Sequence, residues 1–339
     1  MIKEKKIFQV RNKSFESGKK TLIIGEIGSN HNHNLKKTFK LIDEAKRAGC
    51  DAVKFQLFKA DKIIQKRFAG WKILKKLELN ENWLKKIKKY TYSKKMLFSV
   101  SPFDKDSVKK LQKINIDFFK VASTELEDFE LIKEISKTKK PTILSTGAAH
   151  IKEISEAIDI LREKVSSLAI LHTVSIYPPR IDQMNLNMIN SLKNTFHLPV
   201  GFSDHSTSLT LPTVAVTLGA CIIEKHITLN KKNKGPDHHF SLEPNEIKIM
   251  INSIRELETC MGSKIKQPVI KDEKKGLARR IVSTKKIDKN KIINEKDLIV
   301  KRAKKNGIHP RDFSKILGLK ILKHIKVDQV LKWSDFKAK

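Results

Sequence analysis

The chain has 339 residues, more than a usual single domain, and 39% of them are hydrophobic, which allows a sizeable core. Its 70 Lys and Arg residues against 37 Asp and Glu residues give a formal net charge of +33. The lysines are spread along every segment, and only three Tyr and three Trp are present as stacking platforms. We therefore expect no nucleic-acid partner, because a dispersed charge is not a binding patch.

The cysteines and the apolar runs bear on the compartment. Cys50, Cys221 and Cys260 are far apart and form no C-x-x-C pair, which favours a reducing compartment over a disulfide framework or a zinc cluster. The first ten residues contain no apolar signal segment, and no run approaches the ~20 apolar residues of a membrane span. We expect a cytoplasmic protein without a membrane partner.

Strand and helix patterns alternate through the first two thirds of the chain. Residues 35–49 show apolar residues at helical spacing, and Gly49 is the expected stop. Eight strand candidates lie between Thr21 and His226, at 21–26, 52–56, 96–101, 118–123, 141–146, 168–174, 199–204 and 221–226. This alternation predicts an α/β fold, a (β/α)8 TIM barrel. A doubly wound sheet is the alternative, but no G-x-G-x-x-G or G-x-x-x-x-G-K-[ST] motif follows any of the strands.

A second, smaller domain is predicted after the barrel. The barrel domain covers residues 1–262, and the charged stretch 263–276 is interpreted as a linker. Residues 277–339 contain four short β-like pieces, RRIVST, DLIVKR, LGLKIL and DQVLKW, with turns between them. We expect a small β-rich domain there.

Polar residues stand at the carboxyl end of nearly every predicted strand, where barrels of this class carry their active sites. The set comprises Glu26, Lys54, Gln56, Ser101, Lys120, Ser123, Glu125, Ser145, Tyr177, Ser203, His205 and His226. Any one of them has an ordinary alternative: a Ser after a strand is usually a helix cap, an isolated Lys lies at the surface, and His172 is interpreted as a packed core residue. The coincidence at a single face favours a functional site.

The residue types predict a particular chemistry. Lys54 and Lys120 among hydroxyl groups suit a phosphate or carboxylate with several negative charges. His205 and His226 end adjacent strands about 4.8 Å apart, so their neutral imidazoles can share a divalent metal ion that polarises a carbonyl oxygen. Glu26 suits proton transfer or polyol binding, as does Asp237 in the following Gly-Pro turn. A phosphorylated small molecule reacting with a carbonyl compound fits this set.

The chain resembles the sialic acid synthases, the family of N-acetylneuraminate, legionaminate and pseudaminate synthases, over nearly its full length. The tail resembles the family's small SAF domain, an antifreeze-like β-clip. The matching motifs are EIGSNHN (26–32), DAVKFQ (51–56), SPFD (101–104), FKVASTE (119–125), PTILSTG (141–147), SIYPP (175–179), GFSDH (201–205), EKHITL (224–229) and GPDHHFSLEP (235–244).

The resemblance implies a reaction and a set of roles. Phosphoenolpyruvate condenses with an N-acylated mannosamine-type sugar to give a nine-carbon 2-keto sugar acid and phosphate, with Mn²⁺ or Mg²⁺ as cofactor. Glu26, Glu125 and Asp237 are then catalytic, and His205 and His226 bind the metal. Phosphoenolpyruvate is bound by Lys54, Ser101, Lys120, Ser123, Ser145 and Ser203. The sugar is bound by Gln56, Tyr177 and Arg302.

Arg302 matches an arginine that the family's small domain delivers to the barrel of the other subunit in a domain-swapped homodimer. The family motif R-P-G-x-G-I is altered here to KRAKKNGI (301–308), which keeps Arg302 but lacks the proline and the first glycine. Two further departures lie nearer the barrel. His33 stands where glycine is usual, and Ser175 replaces a frequent asparagine.

Two other functions are weighed against this one. Another phosphoenolpyruvate-dependent keto-deoxy sugar acid synthase is the competing enzyme, and the tail domain and the GPD turn argue against it. A basic nucleic-acid-binding protein is the non-enzyme alternative, but it gives no reason for lysines and histidines at so many strand ends. The identity of the amino sugar stays open between N-acetylmannosamine and a 2,4-diacetamido-6-deoxy hexose.

Overall fold

The computed structural model describes residues 6–263, 265–267, 270, 277–303 and 306–337. The chain divides into two compact units, Met1–Gly262 and Ser263–Lys339. Most of the predicted linker, residues 264, 268–269 and 271–276, lies outside the described residues, as do residues 304 and 305 of the altered loop.

A short antiparallel hairpin begins the first unit, and sequence reasoning did not predict it. Its strands are β1 (Phe8–Val10) and β2 (Lys13–Phe15). Phe8 is fully buried and meets Phe118 edge-on, with ring centroids 6.1 Å apart. The hairpin joins an apolar cluster that includes the first residues of several barrel strands, so it packs against the amino-terminal end of the barrel.

Eight parallel strands close into a barrel, as the alternation of patterns predicted. Each predicted strand is present, with ends that differ by at most two residues. They are β3 (Leu22–Glu26), β4 (Ala52–Leu57), β5 (Leu97–Pro102), β6 (Phe118–Val121), β7 (Thr142–Ser145), β8 (Leu168–Thr173), β9 (Val200–Asp204) and β10 (Ile222–His226). Strand β10 pairs with β3 to complete the ring, which confirms the (β/α)8 prediction and excludes the doubly wound sheet.

Helices follow the strands and cover the outside of the barrel. The first, α1 (Leu35–Ala48), begins at Asn34, whose side chain accepts from the Lys37 N–H, and ends at Gly49 with φ 103°, as expected of a left-handed cap. The other helices of the first unit are α2 (Ala60–Ile63), α3 (Gly70–Leu77), α4 (Leu84–Ser93), α5 (Lys105–Lys113), α6 (Phe129–Lys137), α7 (Ile151–Leu161), α8 (Met188–Phe196), α9 (Leu211–Thr217) and α10 (Pro244–Cys260). No described helix is both long and apolar enough to cross a membrane.

The strand register brings the polar strand ends into line. Glu26 is paired with Lys54 on one side and with His226 on the other. Gln56 is paired with Ser101 in the next strand pair. Because parallel strands share one carboxyl end, these side chains converge at one mouth of the barrel.

The second unit is small and rich in short β pieces, as predicted. Strands β11 (Arg279–Ser283) and β12 (Leu298–Arg302) form an antiparallel pair, and the short helix α11 spans Phe313–Ile316. The other two predicted β pieces contribute isolated bridges, Val282 with Val330 and Ile321 with Phe336. Its own apolar core is built mainly from isoleucines.

Candidate active site

A cavity of about 160 Å³ lies among the carboxyl ends of the barrel strands. Its lining residues are Glu26, Lys54, Gln56, Ser101, Phe103, Lys120, Ala122, Ser123, Thr124, Ser145, Tyr177, His205, Glu224 and His226. Ten of the predicted site residues are in this set, and all eight strands, or the segments directly after them, contribute to it.

Two buried lysines and two buried carboxylates form the floor of this cavity. Lys54 Nζ lies 3.0 Å from Glu26 Oε2 and 3.6 Å from Glu224 Oε1. Lys120 Nζ lies 3.4 Å from the same Glu224 oxygen. All four side chains are at most 6% exposed, so the charges interact with little screening by water.

The two carboxyl groups respond in opposite directions. Burial raises the pKa of Glu26 to about 7, although Lys54 works against it. Glu224 is equally buried, but Lys120 and Lys54 outweigh the burial and lower its pKa to about 2. Opposed pKa values in one cavity are typical of carboxylates that divide acid-base and charge-stabilising roles, which makes Glu26 the one suited to proton transfer.

The two histidines that were predicted to share a metal lie side by side. The ring centroids of His205 and His226 are 5.5 Å apart. His205 Nδ1 donates to the Val174 carbonyl at 2.9 Å, so Nε2 carries the lone pair that can bind a metal ion. His226 Nδ1 is buried and has no hydrogen-bond partner among the described residues, and Asp237 Oδ2 is 4.0 Å away.

The donor set fits a divalent cation. Burial, together with neighbouring cationic groups, lowers the pKa of both imidazoles to about 3, so both are neutral and able to act as ligands at neutral pH. The described residues contain no group of three or more His, Cys, Asp and Glu side chains around one point. A cation held by these histidines would therefore complete its shell with water or substrate, as open catalytic sites do.

The four predicted serines differ in their hydrogen bonds. Ser101 accepts from Lys54 Nζ at 3.4 Å, and Ser123 accepts from the Gly147 N–H at 3.0 Å. The Ser145 hydroxyl is buried and has no partner among the described residues, so it is free to bind a ligand. Ser203 donates to Glu224 at 3.0 Å and does not line the cavity.

Gln56 and Tyr177 also line the cavity, whereas Asp237 lies beside His226 and does not line it. Gln56 donates to Glu26 Oε1 at 2.8 Å, and the half-exposed Tyr177 ring lies 4.2 Å from the His205 ring between centroids. Asp237 accepts from the Ser29 hydroxyl at 2.7 Å, which ties the Gly-Pro turn to the loop after β3.

Two predicted residues lie elsewhere. Glu125 does not line the cavity; its neighbour Thr124 does, and the Thr124 hydroxyl donates to Glu125 at 3.0 Å. Burial raises the pKa of Glu125. Arg302 ends strand β12 of the second unit, where its side chain is exposed.

Sequence reasoning gave no role to Glu224, which the structure places at the centre of the charge cluster. The alternation of side chains along a strand could have shown its inward position, because Glu224 and His226 are two residues apart and share the inward face of β10. His172 was rightly left out of the chemistry. It is buried, stacks on Phe202, and its Nε2 bonds with the Met184 carbonyl at 2.8 Å.

His33 and Ser175, which differ from the family motifs, each have a distinct environment in the structure. His33 adopts φ 50°, a backbone conformation that glycine favours, and its Nδ1 bonds with the Glu78 carbonyl at 3.0 Å. The Ser175 hydroxyl is buried beside Gly147 and has no partner among the described residues.

The fold and the site together define a (β/α)8 barrel protein with a candidate active site at the carboxyl ends of its strands. Comparison with known families finds a match to the NeuB family over residues 41–266 and to the SAF domain over residues 278–337. The chain belongs to the NeuB family. This confirms the family resemblance seen in the motifs, and the SAF assignment of the tail.

Named relatives span the chain almost completely. The N,N'-diacetyllegionaminic acid synthase of Campylobacter jejuni is 37% identical over 93% of this chain and 99% of its own. The pseudaminic acid synthase of the same organism is 35% identical over 95% and 98%. A crystal structure of the N-acetylneuraminic acid synthetase of Leptospira borgpetersenii, in complex with citrate, is 30% identical, with a TM-score of 0.75 over 79% of this chain and 95% of that one.

Proposed function

We propose that the protein condenses phosphoenolpyruvate with an N-acylated mannosamine-type sugar, giving a nine-carbon 2-keto sugar acid and phosphate. The observation that carries this is the cavity itself, where two buried lysines and a set of hydroxyls face two neutral histidines. The lysines and hydroxyls match an anion with several charges, and the histidines match a cation that polarises a carbonyl group. The similarity to the legionaminic and pseudaminic acid synthases of Campylobacter jejuni supports the same reaction class.

The anionic substrate binds on the lysine side. Lys54 and Lys120, with the hydroxyls of Ser123 and Ser145, hold the phosphate and carboxylate of phosphoenolpyruvate. Glu224 holds both lysines in place before the substrate arrives, since their side-chain nitrogens lie within 3.6 Å of its Oε1 atom. Ser203 supports that arrangement through its hydrogen bond to Glu224, and Ser101 through its contact with Lys54.

The sugar binds on the histidine side. Gln56, Tyr177 and Asp237 are assigned to its hydroxyl and N-acyl groups, beside the cavity and the histidine pair. His205 and His226 would hold Mn²⁺ or Mg²⁺. That cation supplies Lewis-acid polarisation of the aldehyde oxygen of the open-chain sugar.

The bond changes then follow from this placement. The C3 atom of phosphoenolpyruvate forms a bond to the aldehyde carbon, whose oxygen takes up a proton, and positive charge develops at C2. Water adds to C2 and gives its proton to Glu26, whose raised pKa suits a general base near neutral pH. Cleavage of the bond between C2 and the phosphate oxygen releases phosphate, which takes the proton of the new C2 hydroxyl and leaves the 2-keto acid. Glu125 remains a candidate for contact with the reacting carbons.

Phosphate release from phosphoenolpyruvate in the presence of Mn²⁺ tests the reaction. Release that requires N-acetylmannosamine or a 2,4-diacetamido-6-deoxy hexose, and that is abolished in His226→Ala, supports the proposal and identifies the sugar. Release only with a pentose phosphate favours another keto-deoxy sugar acid synthase. No release with any sugar, together with tight nucleic-acid binding, favours the basic binding protein.

Two variants test the assigned residues. Glu26→Gln keeps the shape and the hydrogen bond to Gln56 but removes the base, and Lys54→Ala removes half of the anion site. Each is expected to abolish turnover and to leave the circular dichroism spectrum unchanged. Normal turnover in a folded variant removes that residue from its role.

We also propose a domain-swapped homodimer in the cytoplasm, in which a second copy supplies Arg302 to the sugar side. Mixing two inactive variants, His226→Ala and Arg302→Ala, tests the swap. A mixed dimer of this kind contains one site with both defects and one intact site, so an equal mixture recovers about a quarter of the wild-type activity. No recovery after subunit exchange contradicts delivery of Arg302 across the dimer.

A further inference from the structure

A fully buried lysine lies directly behind the histidine pair and has no part in the chemistry described above. Lys225 is 1% exposed and stands between Glu224 and His226 on strand β10. Its two neighbours line the cavity, and it does not. Because side chains alternate along a strand, Lys225 points to the outer face of the barrel wall and cannot touch a substrate in the cavity.

The ammonium group of Lys225 is bound by one short segment of chain, residues 204–208. It donates to Asp204 Oδ2 at 2.5 Å, to the Ser206 carbonyl at 2.5 Å and to the Ser208 carbonyl at 3.4 Å. The second oxygen of Asp204 accepts from the Ser206 N–H at 2.8 Å. The segment is therefore closed on itself by Asp204 and fixed to the neighbouring strand by Lys225.

His205 lies inside this clamped segment. The residues before and after it, Asp204 and Ser206, are both bound by Lys225. The imidazole ring has a separate anchor, the bond from Nδ1 to the Val174 carbonyl. One contact thus fixes the backbone at His205, and the other fixes its ring, whose centroid lies 5.5 Å from that of the His226 ring.

A buried ion pair in this position is not expected to add much stability by itself. Replacing a buried pair by apolar side chains of similar volume is often neutral or stabilising, so the pair is better explained by the geometry it imposes. Partners that orient ligands of a metal affect its affinity strongly, by roughly 10- to 100-fold when they are removed.

We infer that Lys225, with Asp204, is a positioning residue that fixes the segment 204–208 and thereby holds His205 in the geometry for divalent-cation binding. This inference rests on the proposed function only in assigning the cation to the two histidines. It adds a residue that touches neither the cation nor the substrates.

The test measures binding of Mn²⁺ alone to the full-length protein, by electron paramagnetic resonance of the free ion. Lys225→Met keeps the length of the side chain and removes the clamp, and the Mn²⁺ dissociation constant is expected to rise roughly 10- to 100-fold. Arg255→Met is the matched control. Arg255 also bonds a carboxylate and a backbone carbonyl, Asp51 at 2.9 Å and Thr21 at 3.0 Å, but it does so at the opposite end of the barrel.

A second variant shows whether a loss of Mn²⁺ affinity is caused by misfolding. Lys225→Met leaves Asp204 buried without its partner, whereas Asp204→Asn combined with Lys225→Met removes both charges and keeps an oxygen for the Ser206 N–H. The double variant is expected to fold and to show the same loss of Mn²⁺ affinity. A double variant that does not fold counts against the inference, because the pair would then determine folding and not the position of His205.

The inference is overturned if folded Lys225 variants bind Mn²⁺ as tightly as Arg255→Met does. Its failure is distinguishable from that of the proposed function. Synthase activity with Mn²⁺ binding that is indifferent to Lys225 rejects only the positioning role. Binding that depends on Lys225 and His205, in a protein that makes no product, rejects only the proposed reaction.

Discussion

Glu26 and Glu224 show how one cavity assigns different roles to the same residue type. Both carboxyl groups are buried beside Lys54, yet only Glu224 also faces Lys120. The additional ammonium group decides the outcome, with a pKa of about 7 for Glu26 and about 2 for Glu224. Glu224 is thus a fixed negative charge between the lysines, and Glu26 is free to exchange a proton near neutral pH.

Gly28, two residues after Glu26, has little room for a side chain. A Cβ atom at Gly28 would lie 3.1 Å from Asp237 Oδ2, 3.3 Å from Glu26 Oε1 and 3.4 Å from His226 Cε1, and the residue has φ 49°. Gly28→Ala is therefore expected to cost about 1–2 kcal/mol of backbone strain and also to displace site residues. We expect a marked loss of kcat, measured as phosphate release.

Gly18→Ala separates the effect of backbone strain from the effect of displaced site residues. Gly18 has φ 80° and nothing within 4 Å of a Cβ, so the variant carries comparable backbone strain without contacting the site. We expect it to lower the unfolding midpoint in urea while kcat stays at the wild-type value. Equal activity of the two variants would show that the space at Gly28 is not needed for catalysis.

At the scale of elements, the barrel was predictable because each strand carries its own pattern. The short apolar runs and the polar residue at each end located all eight strands, and their common direction then placed ten predicted residues around one cavity. Two features were not accessible in this way. The hairpin of β1 and β2 is held by contacts with distant strands, and each of its strands has only three residues. The role of Glu224 required the positions of two lysines from other strands.

The hairpin is expected to contribute substantially to barrel stability. Phe8 is fully buried against Phe118, so Phe8→Ala leaves a cavity and should cost about 3–5 kcal/mol. Urea unfolding followed by circular dichroism measures the loss. Ile151→Ala, at a position 45% exposed, is the control and should change stability little. A small effect of Phe8→Ala would mean that the hairpin can leave the barrel without consequence.

The second unit contains a buried carboxylate that makes the stability of this unit depend on pH. The Asp297 side chain is fully buried and accepts from Lys291 Nζ at 2.7 Å and from the Asn294 N–H at 3.1 Å. Burial opposes ionisation, but these partners and Lys285 outweigh it, and the pKa of Asp297 is lowered. The stabilisation is therefore complete above the unfolded pKa of about 3.9 and is lost as the pH falls through the lower folded value.

Asp297→Asn is expected to destabilise the second unit by about 1–3 kcal/mol at pH 7. Below pH 4 the difference from wild type should shrink, because the wild-type carboxyl is then protonated as well. Amide hydrogen exchange at Ile281 and Ile293, both in the core of this unit, reports its opening in the full-length protein. A difference that persists unchanged at pH 2 would contradict the ionic origin of the effect.

At the scale of the whole molecule, the lysines and arginines behind the net charge of +33 are spread along the whole sequence. Among the described lining residues, Lys54 and Lys120 are balanced by Glu26 and Glu224. The long-range attraction for an anion such as phosphoenolpyruvate therefore comes from the chain as a whole, and the cavity supplies only the short-range contacts.

This division predicts a dependence on salt. The screening length falls from about 30 Å at 0.01 M to about 10 Å at 0.1 M ionic strength, so surface lysines stop acting on a distant substrate over this range. We expect kcat/KM for phosphoenolpyruvate to fall by roughly tenfold, while the KM of an uncharged amino sugar stays constant. Steady-state kinetics in increasing NaCl, with sucrose as the osmotic control, measures both. A kcat/KM for phosphoenolpyruvate that is flat across the series would mean that the dispersed positive charge does not assist substrate capture.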